Sequence, residues 1–442
     1  MNRFFFLISV LLCSIALHAQ GVYEQVQLFV NSPDGVYHKG ETVKVTARVE
    51  GGGSESVLMQ VYSYGKVISS MEMVVSGDET LVFSEVCSEP VSKMVKLSPV
   101  SNPKTSTMVG YLVDPEEFVP GFAIPSDLKA YWDSEIARMR SLKPEVKVLP
   151  AVGVKDEDKD KFECYQIEIN MPEGNPCRGY VAWPRGAAPA SLPIYLFVHS
   201  AGVNRQANTS KAHFTIGLAR KGCLALDINA HGYLADQPQS YYDALDAGEL
   251  KNYAGRDFTG VSDYYFHNMY LRDVRALDYA VTLPVWDGKR ILVHGESQGG
   301  GQALALSGID ERVTHVAAIV PAITDTGASL DDRKSGWPER VNTKFAPTSL
   351  GPSVMAYHDG AILVSLFNGK LYMESGNIDW TCDPAAVCAG YNNAKRVKSK
   401  QIYYYPWRTH SYTSMEERYR DGWSKEVYPH RDAFFKACLG GE

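Results

Sequence analysis

Arg290-Ile-Leu-Val-His-Gly-Glu-Ser-Gln-Gly-Gly-Gly-Gln302 decides the fold of this chain. Ile291 to His294 reads as a short buried strand, and Gln302-Ala-Leu-Ala-Leu-Ser307 as the helix behind it. Between them, Gly295-Glu-Ser-Gln-Gly299 is a G-x-S-x-G turn with a serine at its tip. Glycine flanks the serine at two residues either side because a side chain there would strike the neighbouring strand or helix. The serine then sits at a helix N-terminus, where backbone N–H groups face any developing negative charge. The plain alternative is a Gly-rich strand-to-helix connection with no chemistry.

Working outward, 442 residues with 45% apolar content suffice for two domains. The formal net charge is −7 and no basic tract occurs, which excludes nucleic acid as a partner, because phosphate binding needs clustered cations. Residues 1–19 carry one early positive charge, an apolar run and a final small residue, Ala19. That is the pattern of a secretory signal peptide, so a secreted or periplasmic location is expected. Leu12 before Cys13 is too bulky for a lipoprotein site. Beyond the leader, no stretch has the roughly 18 apolar residues of a membrane span. Removing it leaves cysteines 87, 164, 177, 223, 382, 388 and 438, an odd number with no zinc-site spacing. Cys164 and Cys177 flank a predicted hairpin and are a candidate disulfide; buried free thiols are the alternative.

Residues 20–115 read as short strands: 23–30, 41–49, 57–62, 66–68, 71–75 and 79–83, each bounded by Gly, Ser or Asp. This spacing predicts a small antiparallel, immunoglobulin-like β-sandwich with a structural or accessory role. Residues 114–125 contain three prolines and read as a linker, and Ser126 caps a predicted helix reaching Arg140. Residues 116–442 then alternate apolar strands (161–169, 177–183, 192–198, 223–228, 291–294, 313–320, 370–374 and 401–405) with helices. The expected class is α/β, with a mainly parallel sheet covered on both faces. Ligands bind beyond the carboxyl ends of such strands, where His199, Asn229 and Ser297 fall.

A serine hydroxyl needs a base, and the base an orienting acid. With this elbow, acid and histidine follow the serine in that order. Of His315, His358, His410 and His430, His410 lies just past the last strand, while His315 is inside a strand. Asp379 and Asp383 compete for the acid. Asp383 precedes Pro384 as a helix cap would, which leaves Asp379. The two oxyanion donors fall on the backbone of Gln298 and of Ser200 or Ala201. The chemistry calls for no cofactor and no metal.

Three stretches carry a resemblance: Tyr264-Tyr-Phe-His-Asn-Met-Tyr-Leu-Arg-Asp-Val-Arg-Ala-Leu-Asp-Tyr279, Trp286-Asp-Gly-Lys-Arg-Ile291, and the Ser-Gln-Gly-Gly form of the elbow. Together they resemble the acetyl xylan esterase and cephalosporin C deacetylase family of α/β-hydrolases, over roughly residues 120 to 440. Asn377-Ile-Asp-Trp-Thr-Cys-Asp-Pro384 is similar to the family's acid loop. The resemblance implies Asp379 as acid, His410 as base and the Ala201 backbone as second oxyanion donor. The chain departs from the family at His199-Ser200-Ala201, at Asn229-Ala230-His231 and at His410-Ser411. Asn229, His231 and the Tyr-rich residues 233–265 are candidate substrate contacts, or else a packed lid. The expected function is a serine esterase removing acetyl groups from carbohydrate, with a carbohydrate ester as partner and a homo-oligomer left open. A peptidase or other esterase on the same residues, and a glycan-binding protein without catalysis, are the competing readings.

Overall fold

The computed structural model describes residues 21–203, 208–256, 258–341 and 351–440; the predicted signal peptide lies outside them. The N-terminal part is a β-sandwich. One sheet holds β1 (Gly21–Val22), β3 (Val36–Tyr37), β5 (Ser54–Ser63), β6 (Lys66–Ser76), β8 (Val91–Pro99) and β9 (Thr105–Val113). The other is β2 (Val26–Val30), β4 (Thr42–Val49) and β7 (Thr80–Val86). Alternation builds the core: Val43, Val45, Ala47 and Val49 point inward from β4, while Lys44 and Arg48 face solvent. The two runs predicted at 66–68 and 71–75 are one continuous strand, β6. Strands β8 and β9 escaped the sequence reading because they are buried on both faces and so show no alternation.

The C-terminal part is built on a nine-stranded sheet. Its strands are β10 (Val146–Pro150), β11 (Phe162–Ile169), β12 (Cys177–Pro184), β13 (Leu192–Val198), β14 (Leu224–Ile228), β15 (Trp286–Glu296), β16 (His315–Ile319), β17 (Lys370–Gly376) and β18 (Ser399–Tyr405). The order is β10-β11-β12-β14-β13-β15-β16-β17-β18. The first three strands and the junction with β14 are antiparallel, and every pairing from β14 to β18 is parallel. The parallel strands are apolar on both faces because helices cover both. Leu128, Trp132, Met269 and Val274 pack with Leu196, Val293 and Val316 on one side. On the other, Ile216, Phe434 and Phe435 pack with Ala225, Leu292 and Ala317. This is the α/β-hydrolase arrangement expected from the sequence.

Two expectations need correction. Residues 114–125, read as a linker, are packed onto the fold: Phe118 and Phe122 are buried, and the Gly121 N–H donates to Asp325 at 2.8 Å. Cys164 and Cys177 do not bridge. Pairing of β11 with β12 sets Cys164 opposite Ala182 and Cys177 opposite Ile169, and all seven described cysteines are free thiols. No helix among the described residues is long and apolar enough to cross a membrane.

Candidate active site

Strand β15 ends at Glu296, and the helix Gln298–Ile309 begins one residue later. Ser297 at the corner has φ 58° and ψ −121°, a conformation that costs an L-residue about 1–3 kcal/mol. The surroundings hold it there. Its N–H donates to the Ile319 carbonyl at 2.9 Å, and its carbonyl accepts from Ala322 at 2.8 Å. The flanking glycines are required sterically. A Cβ on Gly295 would lie 2.4 Å from the Gly299 carbonyl carbon, and one on Gly299 would lie 2.1 Å from the Val198 oxygen. The corner therefore lifts the serine side chain above the carboxyl ends of the strands.

Asp379, the expected acid, follows β17, and His410, the expected base, follows β18. His410 Nε2 is 2.8 Å from Ser297 Oγ, and His410 Nδ1 is 2.8 Å from Asp379 Oδ2. Asp379 is fully buried, and its other oxygen accepts backbone N–H groups of Thr381 and Cys382, each at 2.8 Å. Burial alone would push the His410 imidazole down. The charge of Asp379, then that of the Cys382 sulfur, and the hydrogen bonds to both outweigh that and hold it well above 6.5. Cys382 adjoins the pair, its Sγ within 4.8 Å of the His410 and Asp379 ligating atoms. Burial raises that thiol, and the neighbouring His410 works against the rise.

The competing residues are occupied elsewhere. Asp383 caps the helix Pro384–Asn393 by accepting from Ala385. His315 bonds Thr314 at 2.9 Å, His358 faces the Val354 carbonyl at 3.1 Å, and His430 stacks on Tyr403. Among the described histidines, His410 is the one that meets Ser297.

Gln298 is the first residue of the elbow helix and is fully buried. Ala201 lies in the loop after β13. That loop is tied to the elbow by Ser200 Oγ donating to the Glu296 carbonyl at 3.0 Å, and Asn208 Nδ2 donates to the Ala201 carbonyl at 2.6 Å. Both expected oxyanion donors thus belong to segments fixed against each other beside Ser297.

The two candidate substrate residues divide. Asn229 is buried, with its side-chain oxygen accepting from the backbone and hydroxyl of Ser210, each at 2.8 Å, and its nitrogen donating to the Tyr233 carbonyl at 3.0 Å. Its carboxamide ties these loops together. His231 lies 2.7 Å from the Tyr265 hydroxyl and edge-on to Tyr253. Burial, then the charges of Arg272 and Arg256, push His231 down to about 3, so it stays neutral. Tyr253 in turn donates to the Gln298 side chain. The Tyr-rich segment therefore packs onto the elbow itself, and His231 is two contacts behind Gln298.

The sequence reading missed Arg408, and it placed Tyr253 within residues 233–265 and Asn377 within the acid loop without giving either a role of its own. Arg408 is buried and donates to Glu296 at 2.9 Å, linking the histidine loop to the elbow. No local pattern marks such residues, because each acts on a segment remote in the chain.

Comparison with known proteins adds the following. The family model described as "Acetyl xylan esterase (AXE1)" matches residues 112–421. The acetyl esterase Axe7A of Xylanibacter ruminicola is 26% identical over 383 residues, covering 84% of each chain. The solved acetyl xylan esterase from Paenibacillus sp. R4 superposes with a TM-score of 0.55 at 21% identity, covering 73% of this chain and 97% of its own. Acetyl xylan esterase 1 from Thermoanaerobacterium sp. JW/SL YS485 gives 0.52 at 20% identity, covering 67% and 92%.

Proposed function

Because the chain belongs to the acetyl xylan esterase family, and is thus a carboxylic ester hydrolase, we propose that it removes acetyl groups from carbohydrate such as acetylated xylan or its oligosaccharides. The mechanism is acyl transfer through Ser297, His410 and Asp379. The observation that carries it is the unbroken path from Asp379 to His410 to Ser297, with both links at 2.8 Å.

His410 Nε2 takes the Ser297 proton as Oγ bonds to the ester carbonyl carbon. The carbonyl oxygen becomes an oxyanion and accepts from the Gln298 and Ala201 N–H groups. Asp379 keeps the proton on Nδ1 and stabilises the imidazolium that forms. His410 then passes the proton to the departing sugar oxygen, leaving an acetyl group on Ser297. Water, deprotonated by His410, attacks that acetyl carbon, and acetate leaves as Ser297 Oγ regains the proton. Charge is created and removed at fixed groups, so little reorganisation accompanies each step.

We place the protein outside the cytoplasm, because residues 1–19 have the pattern of a secretory signal peptide. The test is acetate release from acetylated xylo-oligosaccharides and aryl acetates, beside longer-chain esters and peptide amides. Acetate release from the oligosaccharides is expected. Cleavage of other substrates with no release from acetylated carbohydrate would overturn the substrate assignment.

A further inference from the structure

The family match begins at residue 112, so nearly all of the β-sandwich lies outside it. Yet the sandwich touches the two loops that carry Asp379 and His410. We infer that the sandwich is a brace for these loops, and that Gly110, Asn377 and Trp407 are positioning residues for the reaction; this rests on the assignment of Asp379 and His410 above.

The acid loop and the histidine loop are first joined to each other. Asn377 N–H donates to the Tyr405 carbonyl at 3.1 Å, and Ile378 N–H to the Arg408 carbonyl at 3.2 Å. The pair is then bound to the sandwich. Gly110 of β9 donates its N–H to the Pro406 carbonyl at 2.8 Å, and Asn377 Nδ2 donates to the Asp34 carbonyl at 2.9 Å. A Cβ on Gly110 would lie 2.0 Å from the Asn377 carbonyl oxygen, so the two backbones touch directly. Trp407 Nε1 donates to the Leu28 carbonyl at 2.8 Å, and its ring packs on the sandwich core. Ile378 packs with Tyr62 and Met94, and Trp380 meets Tyr62 edge-on at 4.8 Å.

These anchors lie close to the chemistry in the chain. Asn377 and Trp380 are two residues before and one after Asp379, and Trp407 is three before His410. Residues so near a catalytic group share its backbone segment, so a shift of one shifts the other. Loop positions alone are soft, and a displacement of about 1 Å at a catalytic group costs about a hundredfold in rate. The contacts also explain why β8 and β9 are buried on both faces: the sandwich core lies beneath them and the catalytic loops lie above. A carbohydrate-binding accessory or a spacer has no need of backbone contact with these two loops.

The experiment uses the full chain. Gly110→Ala, Asn377→Ala and Trp407→Phe each alter one anchor without touching Asp379, His410 or Ser297. Val45→Ala, a truncation inside the sandwich core outside the two loops' own sequence, is the control for simple loss of stability. Turnover of an aryl acetate, split into kcat and KM, is measured at a temperature where circular dichroism shows every variant folded. The expectation is a loss of kcat of about 10- to 100-fold in Gly110→Ala and Asn377→Ala, less in Trp407→Phe, with KM changed by less than about threefold. Val45→Ala should keep its kcat while its melting temperature falls. Wild-type kcat in folded Asn377→Ala and Trp407→Phe would overturn the brace, whether or not Gly110→Ala folds. Ser297→Ala is run alongside: full activity there defeats the catalytic assignment, whereas an inactive Ser297→Ala with unimpaired anchor variants defeats the brace alone.

Discussion

Asp379→Asn is the substitution that the geometry makes most informative. The carboxylate oxygen Oδ1 accepts the Thr381 and Cys382 N–H groups, and Oδ2 faces His410 Nδ1. An asparagine in this place has one oxygen and one NH2. The two backbone donors hold its oxygen at the Oδ1 position, which turns the NH2 toward His410. His410 Nδ1 must then accept, so its proton moves to Nε2, the atom that has to accept the Ser297 proton. The base is blocked without any change of shape. The charge is lost as well. An imidazolium and a carboxylate about 4 Å apart attract by about 4 kcal/mol at an effective dielectric near 20, which corresponds to about a thousandfold in rate. Together the two effects predict a fall in kcat of about 10³ to 10⁴, with KM little changed. The pH profile gives a second readout. His410 works as a base only when neutral, so activity is lost as pH falls through its raised pKa, and the acid limb of the wild type lies above 6.5. In Asp379→Asn the larger raising charge is gone, and the acid limb of the residual activity moves to lower pH. Steady-state kinetics on an aryl acetate from pH 5 to 9 measures both. A variant within tenfold of wild-type kcat, or an unmoved acid limb, would refute the reasoning.

Further outcomes follow from the same geometry. Burial pushes the Asp383 carboxyl up to about 7, above its unfolded value near 4, so folding loses stability as pH rises between those values. Asp383→Asn keeps a capping oxygen, and its melting temperature relative to wild type should be higher at pH 8 than at pH 5. Arg408 is buried and pairs with Glu296, whose side chain is 41% exposed. Arg408→Ala should therefore destabilise by about 2–4 kcal/mol in urea unfolding, whereas Glu296→Gln should cost under about 1 kcal/mol. Among the cysteines of residues 21–440, six are buried and Cys164, half-buried, is pushed up to about 12. Native protein expressed from residue 21 should accordingly react slowly with a thiol reagent, and all seven sites should titrate after denaturation.

Much of the fold was legible because the physics was local. The β15 elbow announces itself through glycines whose absent side chains the turn requires, and the apolar strands β13, β14 and β15 through burial on both faces. The Asp383 cap was legible for the same reason, as an aspartate before a proline at a helix start. What stayed hidden depends on contacts between distant segments. Strands β8 and β9 lose their alternation because the loops of Asp379 and His410, about 300 residues later, cover their second face. Asn229 stands at a strand end, which invites a role in the cleft, but only the fold shows Ser210 and Tyr233 taking up its carboxamide. The proline-rich residues 114–125 read as a linker in composition, and it is the buried Phe118 and Phe122 with Asp325 that fasten them.

The central claim is that Ser297 is a nucleophile activated by His410, and covalent labelling tests it most directly. A fluorophosphonate should label the wild type at one equivalent, with the adduct on Ser297 by peptide mass spectrometry. Labelling and acetate release should both vanish in Ser297→Ala, and labelling should slow by orders of magnitude in His410→Ala. Undiminished acetate release by Ser297→Ala, or a wild-type adduct on another residue, would contradict the account.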